Sequence, residues 1–214
     1  MNKFDGVIFD IDGTLTSSNQ LIFDSFNHIL DRYMNKQLSP QEIIALFGPT
    51  EDDLIEGWFP DTHEKVKRDY YDYYSDNHDI VILFPGMEEI LSELKLRGVK
   101  LGVFTGKGRT AALITLQKLG IYKYFDHIVT GTDVINHKPS PEGILKFLNE
   151  YNISKGRAVM IGDAIADIKA ARGAGIMVVS VLWDSYARDE IIELGSDLIV
   201  HTVEELRSFL LDQR

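Results

Sequence analysis

The stretch Val7-Ile8-Phe9-Asp10-Ile11-Asp12-Gly13-Thr14-Leu15-Thr16 decides how the rest of the chain is read. An apolar strand ends in two aspartates one residue apart, and a turn follows. Side chains on a strand alternate faces, so Asp10 and Asp12 project into the same space beyond its C-terminal end, while Ile11 points toward a core. Two anions held there repel unless a cation lies between them or one carries a proton. Gly13 allows the sharp turn. A strand that ends this way has a chemical task for its carboxylates.

Downstream of Thr16 the pattern is helical. Ile22, Phe26, Ile29, Leu30 and Tyr33 recur on one face. Ser39-Pro40-Gln41-Glu42 combines a capping box with proline at the first helical position. Gly48-Pro49 breaks that helix, and Thr50 with Asp53 starts another. The tyrosine-rich stretch from His63 to Asn77 reads as packing between helices. Residues 16–84 therefore read as all-helical, without a strand. From Pro85 strands alternate with helices: strands at 100–104, around 128–129, 158–161, 178–182 and 198–200, and helices at 87–97, up to 119, after Pro141 and over 165–174. Thr202 and Glu205 predict a capping box for a final helix. The predicted fold class is α/β, a Rossmann-like doubly wound parallel sheet with an inserted all-helical cap. Residues 1–15 and 85–214 form the core and 16–84 the cap. Ligands of such sheets bind beyond the C-terminal strand ends, so the insert is placed as a lid.

Composition narrows the function. The 214 residues carry a net charge of -11, which argues against nucleic-acid binding and against anionic membrane surfaces. Cysteine is absent, so thiolate chemistry and disulfides are excluded. The N-terminal residues lack a secretion signal and no apolar run reaches membrane-spanning length, which predicts a cytoplasmic protein.

Three more segments follow predicted strands. In Val103-Phe104-Thr105-Gly106-Lys107, a hydroxyl and a glycine N–H can hold phosphate oxygens. Lys107 itself reads as a solvated lysine. In His137-Lys138-Pro139-Ser140-Pro141, the following proline keeps Lys138 extended, and His137 reads as a loop residue. In Met160-Ile161-Gly162-Asp163-Ala164-Ile165-Ala166-Asp167, Asp163 faces the Asp10–Asp12 pair across the sheet edge. Oxygen-only ligation by a few carboxylates is the Mg²⁺ pattern.

These residues, in this order, are similar to the motifs of the haloacid dehalogenase superfamily, which consists mostly of phosphatases. Asp-x-Asp-Gly-Thr-Leu behind a strand resembles its signature, and members with a helical cap between the first two motifs match the outline of the whole chain. The resemblance implies a Mg²⁺-dependent phosphatase with Asp10 as nucleophile and Asp12 as general acid and base. Thr105, Gly106 and Lys138 would bind the phosphoryl group, with Lys138 also neutralising the nucleophile. Asp10, Asp163 and the Asp12 main-chain carbonyl would hold the metal, with Asp167 in support.

Phe47-Gly48-Pro49-Thr50 resembles the specificity turn in caps of phosphoglycolate phosphatases and bacterial pyrophosphatases of this group. Asn19-Gln20-Leu21-Ile22 and Ser25-Phe26 also resemble the pyrophosphatase branch. Phe47, Gly48 and Thr50 are thus the cap's candidate specificity residues. The implied partner is a small phosphorylated metabolite, either a phosphoglycolate-like monoester or pyrophosphate, turned over by a monomer or small homo-oligomer. Two alternatives remain. A phosphosugar mutase similar to β-phosphoglucomutase would carry a cap histidine where this chain has Ile22, the nearest being His28. An inactive phosphate-binding regulator would have lost a motif residue.

Overall fold

The computed structural model describes residues 2–212. In chain order, β1 (Gly6–Phe9) leads through β2 (Thr16–Ser17) to four helices. These are α1 (Asn19–Met34), α2 (Pro40–Ile44), α3 (Glu51–Trp58) and α4 (His63–Asp76). After β3 (Ile82–Leu83) come α5 (Met87–Leu96), β4 (Lys100–Phe104), α6 (Arg109–Lys118), β5 (His127–Val129) and α7 (Glu142–Tyr151). The chain ends with β6 (Ala158–Gly162), α8 (Ile165–Ala174), β7 (Met177–Val181), α9 (Arg188–Leu194), β8 (Leu198–Val200) and α10 (Val203–Leu211).

Six strands form one parallel sheet in the order β5-β4-β1-β6-β7-β8. β1 is central and wholly buried, and its neighbours cover both edges. That explains its continuous apolar run. Val7 and Phe9 pack toward α5, α6 and α10, while Ile8 packs toward α7, α8 and α9. The strand order reverses at β1, so the crevice of a doubly wound sheet opens beside Asp10.

The helices between β2 and β3 have a separate core of Leu21, Phe26, Ile29, Ile43, Ile55, Val66, Tyr70 and Tyr74, joined by Ala111 of α6. The tyrosine-rich stretch is helix packing, as the spacing predicts. The expectation of a strand-free insert needs correction. β2 and β3 pair antiparallel, Thr16 opposite Leu83, and Phe84 N–H donates to the Leu15 carbonyl at 3.0 Å. The two crossings lie side by side, so their backbones satisfy one another. Two residues per strand are too few to show a period in sequence. α9 was likewise missed in the sequence, and the Thr202 cap is one-sided. Thr202 Oγ1 accepts from Glu205 N–H, but the Glu205 carboxylate takes His201 N–H instead.

Candidate active site

Asp10, Thr105 and Asp163 leave the sheet at the C-terminal ends of β1, β4 and β6. Lys138 comes from the loop between β5 and α7. Its Nζ lies 3.0 Å from Asp10 Oδ2 and 2.7 Å from Asp167 Oδ1, and donates to the Phe104 carbonyl at 3.2 Å. Burial opposes its charge, but the two carboxylates more than offset this and hold Lys138 above the usual lysine range. Asp10 is buried and accepts from Ile11 N–H at 2.8 Å. Burial pushes its carboxyl up to about 6 against the pull of Lys138.

Asp163 has no such lysine. Thr14 donates to its Oδ1 at 3.1 Å, and no cation pairs with it among the described residues. Burial, then Asp10 and Asp167, push it well above the carboxylate range. Gly13, at φ +73°, passes directly beneath; a Cβ there would collide with the Asp163 carboxylate. Glycine is needed for both the turn and the close approach.

Asp12 is held differently. Ser18 Oγ donates to its Oδ1, and Lys107 Nζ lies 3.3 Å from its Oδ2. Lys107 is not a solvated lysine: its side chain is only 2% exposed and spans from Asp12 to Glu51 Oε1, at 3.4 Å. Its charge is retained because Asp12, Tyr74 and Glu51 outweigh the desolvation that opposes it. Glu51 escaped the sequence reading. It is 6% exposed, and its Oε2 accepts Gly108 N–H at 2.6 Å, tying the start of α3 to the core. In sequence it is one of three consecutive acids in a first helical turn, where any acid is favoured by the dipole. Nothing there singled it out.

Thr105 is buried, and its Oγ1 accepts Lys107 N–H at 3.2 Å. A cavity of about 610 Å³ opens over this edge. Asp10, Asp12, Thr105, Gly106, Lys138 and Asp163 reach its floor, and Phe47 and Gly48 of the insert reach its walls. Asp167 lies beneath, 1% exposed, as the third residue of α8. Thr50 is not in the walls. It caps α3 through Asp53 N–H, and its methyl packs on Gly131, where a Cβ would lie 2.5 Å away. That contact leaves it 3% exposed.

One carboxylate oxygen from each of Asp10, Asp163 and Asp167 lies within 4.8 Å of the others. Both Asp167 oxygens are already engaged, by Lys138 and by Ala164 N–H. The residues fit a hard divalent cation: the donors are all oxygen, and the half-buried Asp163 has no counter-ion among the described residues.

The site is the switch point of a doubly wound sheet that carries ion-paired carboxylates and faces an inserted helical layer across the cavity. The model of the haloacid dehalogenase-like hydrolase family matches residues 7–181, and the chain belongs to that family, as the first motif implied. It is 34% identical over 203 residues to the pyrophosphatase PpaX of Bacillus pumilus, covering 94% of this chain and 93% of that protein. The crystal structure of a predicted phosphoglycolate phosphatase from Haemophilus somnus matches with a TM-score of 0.84 and 25% identity, over 98% of this chain and 99% of that one. CbbY from Rhodobacter sphaeroides, in complex with phosphate, shares the fold with a TM-score of 0.83 and 22% identity, over 95% and 96% of the two chains. No helix among the described residues is long and apolar enough to cross a membrane.

Proposed function

We propose that the chain is a Mg²⁺-dependent phosphatase that releases phosphate from a small phosphorylated metabolite through an aspartyl-phosphate on Asp10. The observation that carries this is the arrangement of two carboxylates on two lysines, Asp10 on Lys138 and Asp12 on Lys107, with the unpaired Asp163 opposite. Asp10 attacks phosphorus as the bond to the leaving oxygen breaks, and Asp12 gives that oxygen its proton. Asp12 then takes a proton from water, which attacks phosphorus and frees Asp10. Thr105, Gly106 N–H and Lys138 stabilise charge on the equatorial oxygens. Asp10, Asp163 and the Asp12 main-chain carbonyl would hold the metal, with Asp167 in support; when bound it supplies the neutralisation that lets a carboxylate approach a phosphate.

Residues 16–84 act as the lid in this reading, and the protein works in the cytoplasm as a monomer or small homo-oligomer. Hydrolysis is favoured over the mutase reaction because Ile22 lines the cavity and, among the described residues, no histidine does. His28 is turned away, 3.3 Å from Asp69 and stacked on Tyr73. An inactive regulator is disfavoured because every motif residue is present. The test is phosphate release from a panel of small phosphate esters and pyrophosphate, with Mg²⁺ and with chelator. The names of the relatives put phosphoglycolate and pyrophosphate in that panel. No release from any substrate with Mg²⁺ would sink the reading.

A further inference from the structure

We propose that the preferred substrate is a phosphate monoester of an uncharged, largely apolar alcohol, and that a second phosphate or a carboxylate on the leaving group is disfavoured. This rests on the phosphatase reading above and concerns the other end of the same cavity.

The floor of the cavity is charged, and its roof is mostly apolar and without a cation among the described residues. Ile22, Phe26, Ile44, Phe47 and Leu54 line the insert's side, and Ile165 and Tyr186 line the core's side facing them. Among the described residues the insert contributes no lysine, arginine or histidine to the walls. Its polar contributions are Asn19 and the carboxylate of Glu51. Two of the three core lysines at the walls are committed. Lys138 serves Asp10 and Asp167, and Lys107 serves Asp12 and Glu51. The one other lysine at the walls, Lys169, is exposed to solvent on α8.

A leaving group that carries charge loses hydration on entering such a chamber and finds no cation in the roof to replace it. An apolar leaving group gains from the same transfer, in proportion to the area it buries. The volume agrees. About 610 Å³ is within the range of pockets that enclose drug-sized ligands, well beyond what a phosphoryl group needs. The binding surface beyond the phosphate is therefore built for hydrocarbon, and charge complementarity selects against pyrophosphate and phosphoglycolate in this chain.

Phosphoglycolate and isobutyl phosphate form a matched pair, since the second carries an isopropyl group of similar shape where the first carries its carboxylate. Measured with Mg²⁺ near neutral pH, kcat/KM should be at least about tenfold higher for isobutyl phosphate, and higher again for n-hexyl phosphate, because a single methylene in a fitted apolar pocket is worth roughly 10-fold or more. Pyrophosphate should fall with phosphoglycolate. The second arm is Phe47→Lys. Phe47 is 47% exposed, so the variant should fold, and a cation in the roof should reverse or erase the preference for isobutyl phosphate. Equal or better turnover of phosphoglycolate or pyrophosphate by the unmodified chain overturns the inference while leaving the phosphatase reading intact. Failure to release phosphate from any of the four overturns the phosphatase reading itself. A preference for isobutyl phosphate that Phe47→Lys leaves unchanged also overturns it, since the roof's lack of a cation would then not be its cause.

Discussion

The sheet edge and the helical insert confront each other across one cavity, and they are built on opposite principles. The edge gathers carboxylates, two of them paired with lysines, Asp10 with Lys138 and Asp12 with Lys107, and one, Asp163, without. The insert is held by aromatic and aliphatic packing, with Phe26 5.1 Å from Tyr70 and 5.7 Å from Trp58 between ring centroids. It sends one charged side chain into the edge, Glu51. Placing catalysis and packing in separate layers lets the packing layer vary without disturbing the charges. Where the layers touch, through Glu51 and through Tyr74 and His78 on Thr115, that independence ends.

The largest test of the contrast is Asp10→Asn. Turnover should fall on the order of 10⁴-fold or more, as when other nucleophiles are removed, while circular dichroism and thermal unfolding stay close to those of the parent. A loss of only a few fold would show that Asp10 is not the nucleophile. Next, Lys138→Met leaves Asp10 and Asp167 without their cation. Denaturant unfolding should show a loss of about 3 kcal/mol, the scale for breaking a buried pair. An unchanged midpoint would mean that the edge does not depend on its partners.

The contact between the layers carries a pH signature. His78 is buried, and burial lowers its pKa to about 4, with Lys118 and Lys107 adding to the effect. An unfolded histidine titrates near 6.5. The unfolded chain therefore binds the proton first as pH falls. Stability is fully present above about 6.5 and is lost progressively down to about 4, by up to about 3 kcal/mol. Urea midpoints across this range should fall less steeply for His78→Gln. Identical slopes would remove His78 from the account.

Two smaller effects sharpen the boundary. Glu51→Gln keeps the hydrogen bond to Gly108 but takes a charge from Lys107. Turnover should drop about tenfold with a shift in stability under about 1 kcal/mol, read by kinetics and melting on the same sample. Full activity would make Glu51 a docking residue only. Inside the insert, the buried Tyr70 hydroxyl has no hydrogen-bond partner among the described residues. Tyr70→Phe should be neutral or stabilising by about 1 kcal/mol, because the hydroxyl is desolvated without return. A clear destabilisation would show that a partner exists in solution.

Much of this was legible in the sequence wherever the signal is local. The strand Lys100–Phe104 and the helix Ile165–Ala174 have the predicted limits, because an apolar run and a glycine stop are written into neighbouring residues. β2 and β3 were not legible, because two residues have no period. Lys107 was misread because nothing beside it in sequence is acidic; Asp12 and Glu51 reach it from other parts of the chain. Thr50 is legible as a helix start, but its burial against Gly131, outside the cavity walls, is not, since that contact comes from a distant part of the chain.

The sequence by itself determined the parallel sheet, the helical insert and which carboxylates and lysine stand at strand ends, because strand alternation and chain direction fix where those side chains emerge. Only the tertiary structure decided how the charges pair. It gave Asp10 and Asp12 a lysine each, left Asp163 without one, buried Lys107 and Glu51 between the layers, and set a mostly apolar roof over the charged floor. Pairing depends on distances of a few ångströms between residues far apart in the chain, and no local pattern carries that information.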